Sequence, residues 1–142
     1  MNESKTSLTL SVTSKTENVG HVIKTLEKFC NDHNFEKKLI ETLLIATDEA
    51  ITNIVLHAYA GRSDGKIHVT FSIKNDTFII ELVDFGKNFQ PIKLKRNKNE
   101  LVDRLKVGGY GLILMNSLMD ELNFNHDKSK NANFLTMKKY LN

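Results

Sequence analysis

Cysteine, proline and tryptophan are almost missing from these 142 residues: there is one cysteine (Cys30), one proline (Pro91) and no tryptophan. A lone cysteine rules out an internal disulfide, and no Cys/His group has the spacing of a zinc site. Cys30 falls in an apolar helical stripe, which makes it a reduced core thiol. No apolar run reaches the ~20 residues of a membrane span, and the polar start Met1 to Lys5 has no apolar targeting segment. The net charge of +3 is mild. It argues against a dedicated nucleic-acid surface, where basic residues cluster on one face with interleaved aromatics. The expectation is a cytoplasmic protein with no membrane and no direct nucleic-acid partner.

What remains is ordinary globular material, 40% hydrophobic and 26% charged. One domain over residues 1–142 can bury a real core. Its organising stretch is 42–59. Leu39, Leu43, Ala46, Ala50 and Ile54 recur at helical spacing and define a stripe facing a core. Glu49, Asn53 and His57 follow at i, i+4 and i+8, a polar line on the same helix. A carboxylate and a carboxamide one turn apart can share a target such as a metal-bound phosphate and the group attacking it. A lone Glu-x-x-x-Asn is also what a solvated helix face looks like. His57 fits a cap or core edge better than a ligand.

Ahead of that helix, Ser7 to Val12 alternates as a short strand. Ser14-Lys15-Thr16-Glu17 has the form of a capping box for a helix running to about His33, and Asn34 can cap the long helix, which ends at Gly61. Ile67, Val69, Phe71 and Ile73 alternate with polar residues. Asn75-Asp76 makes a tight turn, and Phe78 to Val83 is more uniformly apolar, so a hairpin is expected. From Lys87 to Val107 the chain is polar and basic, with Lys93, Lys95, Arg96, Lys98, Arg104 and Lys106, as in a lid or a solvated charge run. Helical spacing resumes from Gly109 to Met119, and strands 121–126 and 133–141 close the chain. The order predicts an α+β two-layer sandwich: a mostly antiparallel, mixed sheet with helices on one face.

Two further stretches bear on chemistry. Asp84 ends a buried strand before Phe85-Gly86. A carboxylate there can accept a hydrogen bond from an exocyclic amine, and the glycine lets a flat base approach; an ordinary strand-to-loop turn is the plainer account. Three of the seven glycines fall at 108, 109 and 111, directly before a helix. Such a start presents backbone N–H groups and a positive dipole end to phosphate, or serves as a hinge. It is neither a Walker A loop nor a Rossmann fingerprint. No Ser-His-Asp order is present.

Taken together these segments resemble the GHKL superfamily of ATP-binding domains (the Bergerat fold), and within it the anti-sigma-factor serine/threonine kinases. Asp48-Glu49-Ala50-Ile51-Thr52-Asn53 with His57-Ala58-Tyr59 is similar to that branch's N box, and Gly109-Tyr110-Gly111-Leu112 to its second glycine box. Leu135-Thr136-Met137-Lys138-Lys139 is similar to its last strand. The resemblance implies ATP and Mg²⁺ as cofactors, with Asn53 on the metal and Glu49 orienting or deprotonating the attacking hydroxyl. It implies Asp84 on the adenine amine with Gly86 beneath the base, and Thr136 supporting the adenine pocket. It gives Gly109, Tyr110, Gly111 and Leu112 to the phosphate-binding box. Asn88 stands where the family usually has a second glycine after Asp-x-Gly; asparagine tolerates left-handed backbone, so the turn can survive. The implied activity is transfer of the ATP γ-phosphoryl group to a STAS-domain anti-anti-sigma protein, by a homodimer that also binds a sigma factor. A non-catalytic ATP-binding partner-switch module is the alternative, and the presence of Glu49 favours catalysis. A detached histidine-kinase ATPase domain fits less well, because no phosphoacceptor helix precedes the N box.

Overall fold

A computed structural model of the chain describes residues 5–88 and 110–142. The elements run β1 (Lys5–Thr13), α1 (Thr16–Asp32), α2 (Lys37–Asn53), a π-helical turn (Ile54–Ala58), β2 (Lys66–Lys74), β3 (Thr77–Asp84), α3 (Tyr110–Leu118), β4 (Glu121–Asp127) and β5 (Ala132–Tyr140). The strands form one sheet in the order β1-β2-β3-β5-β4. The expected architecture is present, although every neighbouring pair is antiparallel, so the sheet is not mixed. Chain order is broken once, where β5 inserts between β3 and β4. That exchange puts β3 and β5 in the middle.

One face of the sheet is apolar. Ile67, Val69 and Phe71 of β2, Phe78, Ile80 and Leu82 of β3, and Leu135 and Met137 of β5 are all buried. They join Val22, Leu26, Phe29 and Cys30 of α1, Leu43, Ala46, Ala50 and Ile51 of α2, and Leu112 and Met115 of α3 in one core. The opposite face is wet and rich in hydroxyls: Thr9 Oγ1 meets Thr70 Oγ1 at 3.0 Å, and Ser11 Oγ meets His68 Nδ1 at 2.7 Å. Burial pushes the Cys30 thiol up to about 12, with Glu27 adding to the effect, so it stays a protonated core group. Asn75 and Asp76 both take positive φ in the β2–β3 turn, as a type I′ hairpin requires. Among the described residues no helix is long and apolar enough to cross a membrane.

Both capping expectations are corrected. Ser14 does not cap α1; that position falls to Lys15, with no side-chain cap bond. The Ser14 hydroxyl is buried and used elsewhere, donating to the Arg62 carbonyl and accepting the Gly65 N–H at 3.0 Å. It ties the end of β1 to the turn before β2. Asn34 closes α1 rather than opening α2. It has φ 58°, its N–H reaches Asn31 O at 3.1 Å, and the Phe35 N–H reaches Cys30 O at 3.0 Å. That is a Schellman closure with asparagine in the left-handed position. Helix α2 starts after Glu36, whose side chain makes no cap bond.

The long helix also ends differently. It changes at Ile54 into a π turn, in which Tyr59 N–H bonds Ile54 O at 3.0 Å, before Ala60 and Gly61 reverse the chain at φ 51° and 82°. Four residues no longer complete a turn there, so exposed His57 leaves the line of Glu49 and Asn53. The turn delivers two anchors to the far end of β3. The Ala58 carbonyl accepts the Lys87 N–H at 2.7 Å. Buried Tyr59 donates its hydroxyl to Lys66 O at 2.5 Å and accepts the Phe85 N–H at 2.8 Å. Gly86 lies so close to the Ala58 carbonyl that a Cβ on it would collide with that backbone.

Two stability measurements check these anchors. Tyr59→Phe removes two part-buried hydrogen bonds, to the Lys66 carbonyl and from the Phe85 N–H, and is expected to lower unfolding free energy by about 1–2 kcal/mol in urea with the slope unchanged. Gly86→Ala forces a methyl against backbone and is expected to cost about 1–3 kcal/mol. No loss in either variant would mean that β3 does not depend on this contact.

Candidate functional site

Helix α2 carries two of the candidate residues. Glu49 and Asn53 stand one turn apart on it, both half-buried, and no hydrogen bond from another described side chain engages either. The neighbouring Asp48 is exposed and accepts the Thr52 hydroxyl at 3.1 Å, which leaves Glu49 as the acid available for other work. Helix α3 packs along α2 through Leu112, Met115 and Met119, which are buried in the core. Tyr110 and Gly111 are the first two residues of α3, so their N–H groups belong to the turn without intrahelical acceptors. The Leu112 side chain points into the core and anchors α3. Gly109 and the basic stretch up to Val107 lie outside the described residues, apart from Lys87 and Asn88. Asn88 is exposed and is not among the residues with positive φ.

The third segment is the end of β3, which lies against the π turn that follows α2. Asp84 is 5% exposed, an uncommon setting for a carboxylate. Its Oδ1 accepts two bonds, from Gly86 N–H at 3.0 Å and Asn133 Nδ2 at 2.8 Å. Among the described residues no bond is made to Oδ2. Burial raises the Asp84 pKa; the Asn133 amide, the Gly86 N–H and the His126 charge oppose that rise without cancelling it. Such a group gains from a donor brought by a ligand. Among the described residues no three His, Cys, Asp or Glu side chains cluster as a metal cage. Asn53 offers one amide oxygen to a hard cation, which commonly takes its other ligands from bound phosphate and water.

The structure therefore places Glu49 and Asn53 on α2, Tyr110 and Gly111 on the helix packed along it, and Asp84 and Gly86 at the strand end held by the π turn that follows α2. It does not place Thr136 with them. That residue pairs with Glu81 and lies on the wet face of the sheet, the side opposite Asp84. The partner across from Asp84 is Asn133, three residues earlier on β5. Sequence reasoning missed Asn133 and also His126, whose Nδ1 lies 2.7 Å from Asn133 Oδ1. Both flank the 127–132 turn at equal distance, so drawing the hairpin register would have paired them. Only the non-local β3–β5 pairing brings them to Asp84.

Comparison with known proteins bears on the family and the fold. Residues 12–139 match the family model described as the histidine kinase-like ATPase domain. The serine-protein kinase RsbW of Oceanobacillus iheyensis is 37% identical over 122 residues, covering 82% of this chain and 77% of that one. The serine-protein kinase RsbW of Bacillus pumilus is 34% identical over 152 residues, covering 100% of this chain and 90% of that one. A crystal structure of RsbU and RsbW domains from Mycobacterium tuberculosis superimposes with a TM-score of 0.69 at 18% identity, over 95% of this chain and 32% of that one, a likeness of fold. The chain belongs to the histidine kinase-like ATPase domain family and, within it, to the RsbW serine-protein kinases.

Proposed function

We propose that this kinase transfers the γ-phosphoryl group of ATP to a serine or threonine of a STAS-type anti-anti-sigma protein, and that it sequesters a sigma factor when that protein is absent. The observation that carries the nucleotide part is Asp84, a buried carboxylate with both described bonds on one oxygen, docked beside the helix that bears Glu49 and Asn53. In this account Asp84 Oδ2 accepts the adenine amine, and Gly86, flush against the π turn, leaves room for the base. The first N–H groups of α3, with Gly109 ahead of them, face the phosphates. Asn53 would hold Mg²⁺, which would supply charge neutralisation for the transferred phosphoryl group. Glu49 takes the proton of the partner hydroxyl as it attacks.

Incubation with Mg-ATP and STAS proteins from the same genome, followed by partner mass, tests the transfer. Gain of one phosphate is expected with wild type. Glu49→Ala is expected to lower the rate by about 10²–10⁴-fold with ATP still bound. Asn53→Ala is expected to remove the Mg²⁺ dependence together with the transfer. ATP binding with no transfer to any partner would instead mark a module that uses the nucleotide to set its shape.

Asp84→Asn separates recognition from folding. Because burial raises the Asp84 pKa, the folded chain keeps a proton over a pH window in which the unfolded chain has lost it. Asp84 therefore costs stability as pH rises through that window, and the asparagine variant is free of this cost. Its stability relative to wild type is expected to be higher at pH 7 than at pH 4, measured by urea midpoints. Its affinity for ATP is expected to fall about tenfold or more by calorimetry.

A further inference from the structure

We infer that His126 and Asn133 are positioning residues: by fixing the direction of the Asp84 carboxylate, they set the preference of the nucleotide site for a base bearing an exocyclic amine. The inference rests on the role proposed above for Asp84. It comes from three residues in one row across the sheet. In the β3–β5 ladder Asp84 stands opposite Asn133, and in the β4–β5 ladder Asn133 stands opposite His126. All three lie on the face that carries the core, at the end where β3 leaves the sheet. On the far side of Asp84 the row continues with Ile67, fully buried and without a polar atom to offer. Lateral support for the carboxylate comes from the Asn133 side alone.

The amide of Asn133 can serve in one orientation only. Its Nδ2 faces three acceptors, Asp84 Oδ1 at 2.8 Å, Gly86 O at 3.2 Å and Lys87 O at 3.3 Å. Turned over, its oxygen would face those three oxygens with no hydrogen between them. His126 sets the choice from the other side: its Nδ1 lies 2.7 Å from Asn133 Oδ1, so the ring must carry a hydrogen on Nδ1 and donate it. His126 thus orients Asn133, and Asn133, with the Gly86 N–H, pins Oδ1 and the plane of the carboxylate. Oδ2 is left pointing as the acceptor for a ligand. A base with an amino group meets an acceptor there. A base with hydrogen in its place leaves that acceptor unpaired, and a base with a carbonyl is repelled.

The test compares binding of ATP with binding of purine riboside triphosphate, which lacks the amino group, to the full chain with Mg²⁺ by calorimetry. Asn133→Thr and Asn133→Val are near-isosteric and differ in a hydroxyl donor; His126→Phe removes the orienting donor. Melting curves check that each folds. Wild type is expected to prefer ATP by about tenfold or more. The preference is expected to shrink to about threefold or less in Asn133→Val, to be largely kept in Asn133→Thr, and to fall between the two in His126→Phe. Affinity for the purine analogue should stay within about threefold throughout. If wild type discriminates and the valine variant discriminates equally, or if both ligands weaken together, the inference is overturned while the role of Asp84 stands. If wild type binds both alike, the role of Asp84 fails and this inference with it.

Discussion

The proposed nucleotide site depends on one close backbone approach: the end of β3 laid against the π turn that closes α2. The contact is small, a single hydrogen bond from Lys87 N–H to Ala58 O at 2.7 Å with Gly86 beside it. The shared core holds the sheet to the helix, and this contact adds a fixed backbone link at the strand end that carries Asp84. An α-helical ending would point its last carbonyls along the axis. The wider turn at 54–58 re-aims the chain so that one of them meets the strand end. π turns recur at functional sites for this kind of reason. Tyr59 adds the second tie with both its donor and its acceptor used, and its burial makes each bond worth keeping.

Asp84 shows how such a scaffold can hold an unfavourable group. An ionised carboxylate in a nearly dry setting is costly unless bonded, and here the described bonds all fall on one oxygen. The fold supports that incomplete arrangement with a large apolar core and an uninterrupted antiparallel sheet. Local instability is tolerated where a ligand completes the bonding.

Much of this was legible from residue order, and the failures have physical causes. The strands, the three helices and the 75–76 turn follow from periodicity and turn chemistry, because they are local properties. Glu49 and Asn53 were visible since four-residue spacing places them on one helix face. Ser14 and Asn34 misled because small polar residues serve several purposes, and tertiary contacts rather than neighbours in sequence decided between them. The π turn had no signature, since its i+5 bond replaces an i+4 bond among residues suited to either. Thr136 was attractive by resemblance, yet its parity on β5 turns it to the wet face; Asn133 took the place opposite Asp84. Parity and partner depend on a pairing between segments some fifty residues apart, which no local pattern encodes.

The hydroxyl-lined side of β1 has a bearing on all this. Leu10 and Val12 are partly buried against the core and Ser7, Thr9 and Ser11 are exposed, so sliding this strand by one position would drown the first set and bury the second. Its far end is held in place as well, since Ser14 grips Gly65 one residue before β2 begins at Lys66. Lys66 carries the carbonyl to which Tyr59 is tethered. The outermost strand thus works as a ruler, and its graduations are read at that same end of the sheet, where the tyrosine holds the chain next to the buried acid.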